Sequence, residues 1–501
     1  MYYKSTRNNA LRYTASQAVL KGLSDDGGLF VPEKLPVSDK SLQELATMDY
    51  KAVAYEVMKL YLSDYTEEEL KYCIEQAYDD KFDIPEKVAL KKAGGAYYLE
   101  LFHGPTIAFK DMALSILPYL MTTAAKKNQL KEEIVILTAT SGDTGKAALA
   151  GFADVPGTRI MVFYPKDGVS KIQEKQMVTQ KGGNVKVVGI RGNFDDAQNG
   201  VKAMFNDAGL KDELKSRGYV FSSANSINIG RLVPQIVYYV YSYTRLLKDG
   251  IIADGESINF CVPTGNFGNI LAAYFAKQLG VPVGKLICAS NKNKVLTDFF
   301  KSGTYDKLHV MDDAGNFSEK REFMLTSSPS MDILISSNLE RLIYLICGED
   351  DHKCADFMKQ LSKEGSYEID DLMRSRLKDF DAGFADEAAC AEMIKKVFDE
   401  DGYVIDPHTA VAAAVYEEYR SKSSDSLNCV IASTASPYKF PEAVLKALGE
   451  ESSDEELTDK LNEISKVPFP KAISELRDAQ VLHDTVCDKD EMKEQVRSFL
   501  N

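Results

Sequence analysis

The sequence predicts an α/β protein with a doubly wound, largely parallel sheet, and two features carry that expectation. From about residue 90 onward, short apolar, β-branched runs alternate with amphipathic stretches at helical spacing, the pattern of repeated βαβ units. Three of the runs end in loops rich in Gly, Ser, Thr and Asn: ATSGDTGK, PTGNFGN and ASTASP. Open α/β sheets bind ligands at the carboxyl ends of their strands, so three such loops predict one shared site.

Along the chain, residues 1 to about 90 read as helical. Leu42, Leu45, Val53, Val57 and Leu60 recur at helical spacing, and Thr66 stands as N-cap before EEELKYCIEQAY. Strand–helix pairs follow: AYYLELF with KDMALSILPYLM, IVILTA with GKAALAGFA, IMVFYP with KIQEKQMVTQKG, and VKVVGI with FDDAQNGVKAMFND. INFCVP precedes NILAAYFAKQLG, KLICAS stands next, and NCVIASTAS precedes PEAVLKALGE. From Leu339 to Tyr403 the chain is charged and reads as a helical insertion. SSDEELTDKLNEISK and KDEMKEQVRSFLN read as amphipathic helices.

Composition narrows the class. At roughly 150 residues per domain, 501 residues amount to about three domains' worth of chain, or two domains with insertions. Apolar residues make up 45% and charged residues 27%, as in ordinary globular proteins. The net charge of −15, without a Lys/Arg block, speaks against nucleic acid or an anionic membrane as partner. No apolar run approaches the ~18 residues that span a bilayer. The opening MYYKSTRNNALRYTAS lacks the apolar core of a secretory signal, so a cytoplasmic protein is expected. The eight cysteines form no CxxC pair, and Cys261, Cys288 and Cys429 sit inside apolar strands as small hydrophobes.

Individual motifs narrow the chemistry. PTGNFGN (Pro263 to Asn269) follows an apolar strand and opens a helix. Gly265 and Gly268 let the backbone approach a ligand, and the helix directs N–H groups at the loop. That suits a single phosphate, or a plain tight turn; the GxxG spacing is not the GxGxxG of dinucleotide sites. TSGDTGKAA misses both anchor positions of a Walker A loop, with Thr140 where the first glycine belongs and Ala147 after Lys146. Its hydroxyls and N–H groups suit a carboxylate or a ring oxygen. In LFHGPTIAFKDMAL, Lys110 stands where strand and turn give way to helix, flanked by Phe109 and Met112. Apolar surroundings disfavour an ammonium, and such a lysine can form a Schiff base. On this segment alone, a lysine snorkelling along a helix surface is the commoner case. His103 reads as a structural, hydrogen-bonding histidine. SSANSINIGRLVPQ (Ser222 to Gln235) offers amides, hydroxyls and Arg231 to an anion, or caps a helix. The acidic stretch Glu349, Asp350, Asp351 and His352 lacks separated ligand spacing and reads as a solvated face, so no metal site is expected.

Together these segments resemble threonine synthases, fold-type-II enzymes of the tryptophan synthase beta-like group that depend on pyridoxal 5'-phosphate. SQAVLKGLSDDGGLFVP (Ser16 to Pro32) is similar to that family's N-terminal signature. HGPTIAFKD, SGDTGKAA, SSANSINIGRL, PTGNFGN and STASPYKF follow in family order, over about residues 5 to 450. The resemblance implies two doubly wound, mostly parallel sheets with an N-terminal helical region over residues 1–90. A large cofactor-binding domain is expected over 91–120 and 230–501, with a helical insertion at about 339–403 and C-terminal helical additions. A smaller, mobile α/β domain is expected over 121–229.

Carried over residue by residue, the resemblance makes Lys110 the Schiff-base lysine. Gly265, Asn266, Phe267, Gly268 and Asn269 bind the cofactor phosphate, Thr434 faces the pyridine nitrogen, and Asp143 lies among the cofactor contacts. Ser141, Thr144, Asn225, Ser226 and Arg231 are expected to hold the substrate's carboxylate and phosphate. Two positions depart from many relatives: Asn8 follows Ser5-Thr6-Arg7 in place of Gly, and Ser436 replaces a His. The implied reaction turns O-phospho-L-homoserine and water into L-threonine and phosphate, in a monomer or homodimer. The alternatives are another fold-type-II lyase, such as a serine or threonine dehydratase, and a catalytically silent cofactor-binding homologue.

Overall fold

Two parallel-stranded sheets meet around Lys110 in the computed structural model, which describes residues 1–140, 142–450 and 456–501. The first sheet runs, edge to edge, Phe380–Phe384, Val283–Ser290, Ile258–Pro263, Cys429–Ser433, Ala96–Glu100 and Ala89–Ala93. All its pairings are parallel except the last, a hairpin turning at Gly94 and Gly95. Both glycines have positive φ (55° and 74°), as a tight two-residue hairpin turn requires. Ile258–Pro263 and Cys429–Ser433 are buried at every residue, which is why INFCVP and CVIAS are apolar throughout.

The second sheet is wholly parallel, in the order Val486–Asp488, Val185–Arg191, Thr158–Pro165, Glu133–Ala139 and Tyr219–Ser222. The helices Asp143–Phe152, Lys171–Val178 and Phe194–Asn206 connect its strands. Thr66 closes the capping box expected of it, with Glu69 as its reciprocal partner. All eight cysteines are unpaired, and seven are buried. Among the described residues no helix is long and apolar enough to cross a membrane.

Three boundaries differ from the sequence reading. The first 90 residues are not all helical: Tyr3–Ser5, Asn8–Tyr13 and Phe30–Pro32 form an antiparallel sheet. Two of these strands have only three residues, too short to show a period of two, and Asn8–Tyr13 is a polar edge strand with little apolar pattern to read. The stretch 339–403 is not a purely helical insertion, because Phe380–Phe384 is the edge strand of the first sheet, paired with Val283–Ser290. FDAGF holds Asp, Ala and Gly, all weak strand formers, and tertiary pairing overrides that preference. The C-terminal segment does not all accompany the first sheet: Val486–Asp488 pairs with Val185–Arg191 of the second. Met492 and Val496 of the next helix then join Ala197 and Val201 in one apolar cluster.

Candidate active site

Lys110 is held by the strand beside it. The Phe109 N–H donates to the Thr434 carbonyl at 2.8 Å and the Ser436 N–H to the Ile107 carbonyl at 3.0 Å. That pairing places Thr434, just past the buried strand Cys429–Ser433, next to the lysine's own segment. Asp111 braces the turn by accepting from the Thr106 N–H (2.8 Å) and hydroxyl (2.6 Å), and burial pushes it up to about 6. The Lys110 Nζ lies 3.3 Å from Ser330 Oγ and 4.0 Å from Asp143 Oδ2. Burial brings its pKa down to about 8; Arg231 and Lys439 add to the fall, and Asp143 opposes it. The lysine is thus enclosed and does not snorkel.

The loop Pro263–Asn269 faces the same space. Gly265 is the position of close approach, since a Cβ there would lie 2.7 Å from the Ser330 carbonyl oxygen. At Gly268 a Cβ would meet nothing nearer than Asn338 Nδ2 at 3.4 Å, so the two glycines are not equivalent. Phe267 adopts φ 63° and buries its ring 5.9 Å from Phe300, leaving only its backbone to the loop. Asn266 is exposed, and its carbonyl accepts from Asn338 N–H (3.1 Å) and Nδ2 (2.9 Å). Asn269 is 7% exposed; its Oδ1 accepts from Tyr238 (2.5 Å) and Tyr239 (2.7 Å), and Nδ2 is left a buried donor without a partner among the described residues. A helix N-terminus, a backbone cradle and an orphaned amide together suit a phosphate.

Across the space lies Arg231, 4% exposed, at the start of the long helix Ile229–Lys248. It donates to the Ala224 carbonyl at 3.0 Å, but Nε is buried without a partner among the described residues, and burial brings its pKa down to about 10. A buried guanidinium without a carboxylate is a site awaiting an anion. Ser226 Oγ accepts from Asn338 Nδ2 at 3.4 Å, linking this loop to the phosphate loop. Thr144 is half-buried in the first turn of Asp143–Phe152, and Asn225 is exposed. Ser141 lies outside the described residues.

Asp143 is the hub of the polar contacts. It accepts from Gln173 Nε2 (2.9 Å) and Ser330 Oγ (3.1 Å) and pairs with Lys439 at 3.3 Å. Burial alone would raise it, but Lys439, Lys110 and His408 together hold it well below the usual carboxylate range.

Comparison with known proteins gives the family and the fold. Residues 2–78 match the family described as Threonine synthase N terminus, 87–370 Pyridoxal-phosphate dependent enzyme, and 409–486 Threonine synthase, C-terminal. Threonine synthase of Schizosaccharomyces pombe is 36% identical over 470 residues, 89% of each chain. The chain belongs to the threonine synthase family. Threonine synthase-like 1 of Macaca fascicularis is 38% identical over 445 residues, 86% of this chain; the match spans only 58% of that protein's length. A crystal structure of PLP-bound threonine synthase from Brucella melitensis shares the fold at TM-score 0.87 and 34% identity, covering 100% of both chains.

The fold is therefore that of the fold-type-II pyridoxal-phosphate enzymes, and the cofactor of the family is pyridoxal phosphate. The residues present fit it: an enclosed amine of lowered pKa, the Gly265 cradle and the Asn269 donor. Thr434 is buried beside the segment that carries Lys110.

Four residues of the site escaped the sequence reading. Lys439 is buried, its Nζ on the Thr106 carbonyl (3.0 Å) and Gln176 (3.0 Å); its signal was a lysine in the apolar PYKF. Ser330 stands among ordinary serines in TSSPSMD. His408 follows the buried cap Asp406 in DPHTA. Asn338 clamps Asn266 and is itself held by the buried Arg341, which also bonds the carbonyls of Phe30 (2.9 Å) and Ile227 (2.5 Å). His103, by contrast, is structural as expected. Burial works against its charge, but Asp83 (2.7 Å) and Glu100 (3.0 Å) push it up to about 9. In the acidic stretch, Glu349 pairs with Lys4 (2.7 Å) and Asp350 caps a helix.

Proposed function

We propose that the chain converts O-phospho-L-homoserine and water into L-threonine and phosphate, the last step of threonine biosynthesis, as a carbon–oxygen lyase. The observation that carries this reading is the presence of two separate anion sites about one amine. The loop at Gly265–Asn269 takes the cofactor phosphate, and the unpaired guanidinium of Arg231 takes the phosphate of the substrate. Serine or threonine would bring a carboxylate alone, whereas Arg231 together with Asn225, Ser226 and Thr144 offers donors enough for a carboxylate and a phosphate, which favours the phosphorylated substrate.

Pyridoxal phosphate, when bound, supplies the electron withdrawal that lets a Cα proton leave. The chain's own residues do the rest. Lys110, which loses its proton more readily than an exposed lysine, accepts protons from Cα and Cβ and returns them at Cγ, which becomes the methyl group, and at Cα. Phosphate leaves Cγ once Cα and Cβ have each given up a proton, and water then adds at Cβ, placing its oxygen there. Thr434 offers its hydroxyl to the ring nitrogen, and a hydroxyl, unlike a carboxylate, leaves that nitrogen unprotonated. Arg231, Asn225 and Ser226, with Ser141 and Thr144 opposite, hold the substrate's charged groups. The protein acts in the cytoplasm, as a monomer or homodimer, on this small molecule alone.

The test is phosphate release from O-phospho-L-homoserine with and without added pyridoxal phosphate, alongside serine and threonine as rival substrates. Cofactor-dependent release with formation of threonine supports the reading. Turnover of serine alone would replace it with a dehydratase, and a cofactor-binding protein without turnover would make it a silent homologue.

A further inference from the structure

The hydroxyl closest to the reactive amine comes from a segment that carries none of the recognised motifs. Lys110 Nζ lies 3.3 Å from Ser330 Oγ, and that hydroxyl donates to Asp143 Oδ2 at 3.1 Å. A serine hydroxyl has one hydrogen. Given to Asp143, it leaves only lone pairs toward Lys110, so Ser330 meets the amine as an acceptor. An acceptor favours the ammonium over the free amine and so counters the burial around it.

Ser330 sits in the short turn Pro329–Met331, which is set from behind. Its N–H donates to His408 Nε2 at 3.3 Å, while His408 Nδ1 lies 2.8 Å from Asp406 Oδ2. Asp406 is fully buried and caps the helix Pro407–Lys422, accepting also from the His408 N–H (2.9 Å), the Thr409 N–H (3.1 Å) and the Thr409 hydroxyl. A carboxylate at Nδ1 places the ring's proton there and leaves Nε2 as the acceptor that the Ser330 N–H needs. The Thr409 hydroxyl also lies 3.1 Å from Ser433 Oγ, beside Thr434. Asp406 thus braces both walls of the site.

We propose that Ser330 is a further catalytic residue, the hydroxyl partner of the Lys110 amine, and that Asp406 and His408 are its positioning residues. This rests on the reading of Lys110 as the working amine. The charged groups facing that amine are Asp143 from its helix start, Arg231 from the long helix, Lys439 from the turn after the strand, and Asp111 beside it. Among the described residues, Ser330 makes the one hydrogen bond to Nζ. When Lys110 takes a proton from carbon, Ser330 steadies the ammonium; the proton stays on nitrogen until it is returned, and Ser330 neither gains nor loses one.

The experiment uses the full chain, freed of cofactor and then mixed with pyridoxal phosphate across a pH series. Growth of the visible absorbance reports the fraction of Lys110 that is free amine, because only the unprotonated nitrogen attacks the cofactor carbonyl. Ser330→Ala should lower the midpoint by about one pH unit, the worth of one hydrogen bond to a charged group. It should also reduce kcat about tenfold with KM little changed. Ser330→Cys, equal in shape and a poor acceptor, should shift the same way and covers the case in which the alanine variant misfolds. His408→Ala should move the midpoint down by less, and His408→Gln, whose Oε1 still accepts from the Ser330 N–H, should restore it. An unmoved midpoint and kcat in both Ser330 variants would overturn the proposal for Ser330. A His408→Ala protein that melts lower but titrates like the parent would reduce that pair to a structural cap. A Lys110→Ala protein that still forms the visible band would overturn the underlying reading of Lys110 instead.

Discussion

The loop Gly265–Asn269 and the start of the helix Ile229–Lys248 both turn nitrogen toward an anion, but they are held in opposite ways. The loop is braced from outside: Ser336 Oγ bonds the Gly265 carbonyl (2.7 Å), Asn338 bonds Asn266 twice, and Arg341 fixes Asn338. Its shape exists before any ligand arrives. The Arg231 side chain has one bond among the described residues, to Ala224, and a buried Nε that finds no partner among them. Its charge is stabilised only when a ligand supplies the missing partner. A neutral loop can be shaped by its scaffold at the cost of one unpartnered amide, whereas a buried charge makes binding and stability compete more strongly.

Lys110→Ala is the most severe way to test both halves, since both serve the same amine. It should abolish the visible cofactor band and turnover while leaving the melting temperature close to the parent's, read by absorbance, phosphate release and thermal melting. Arg231→Met sharpens the contrast. It should lower kcat/KM on the order of 100-fold through a lost charge-assisted contact of about 3 kcal/mol, yet stabilise the ligand-free protein by about 1–3 kcal/mol. A variant that is both inactive and less stable would show that Arg231 holds the scaffold instead of waiting for an anion.

On the loop side the two glycines should separate. Gly265→Val drives a side chain into the Ser330 backbone and should weaken cofactor binding at least about tenfold in a spectral titration. Gly268→Ala places its methyl at an ordinary contact distance and should cost less than about 1 kcal/mol of cofactor affinity. Equal losses at the two positions would erase the distinction.

The pH dependence gives the mildest test. With Lys110 at about 8, its amine is mostly protonated below that pH and mostly free above it. Cofactor capture by the stripped protein should therefore slow by about tenfold for each pH unit below the midpoint and level off above it. A midpoint near that of an exposed lysine would mean that the amine is not enclosed.

What could be read from the chain alone follows the same divide. Lys110, Arg231 and PTGNFGN lie in local segments whose neighbours announce a turn, a strand end or a helix start, so they were visible one by one. Ser330 and His408 acquire meaning only when folding brings TSSPSMD and DPHTA to one amine, and no local pattern sets them apart from surface residues; Lys439 had only its apolar neighbours in PYKF as a signal. The alternating strands were legible because burial on both faces makes them apolar. FDAGF was not, because an edge strand buries less and its pairing with Val283–Ser290 is decided across a long sequence separation.

The pairing of Val486–Asp488 with Val185–Arg191 has a consequence for synthesis. While the ribosome is still adding the intervening residues, the strands of the second sheet can already associate, but Val185–Arg191 keeps an unpaired edge. That edge is a row of free N–H and C=O groups beside the apolar Val187, Val188 and Ile190, a surface that invites strand addition from another nascent chain. A chain broken off before residue 486 would carry the same edge permanently. Premature termination late in translation should therefore yield aggregates rather than a slightly shortened enzyme.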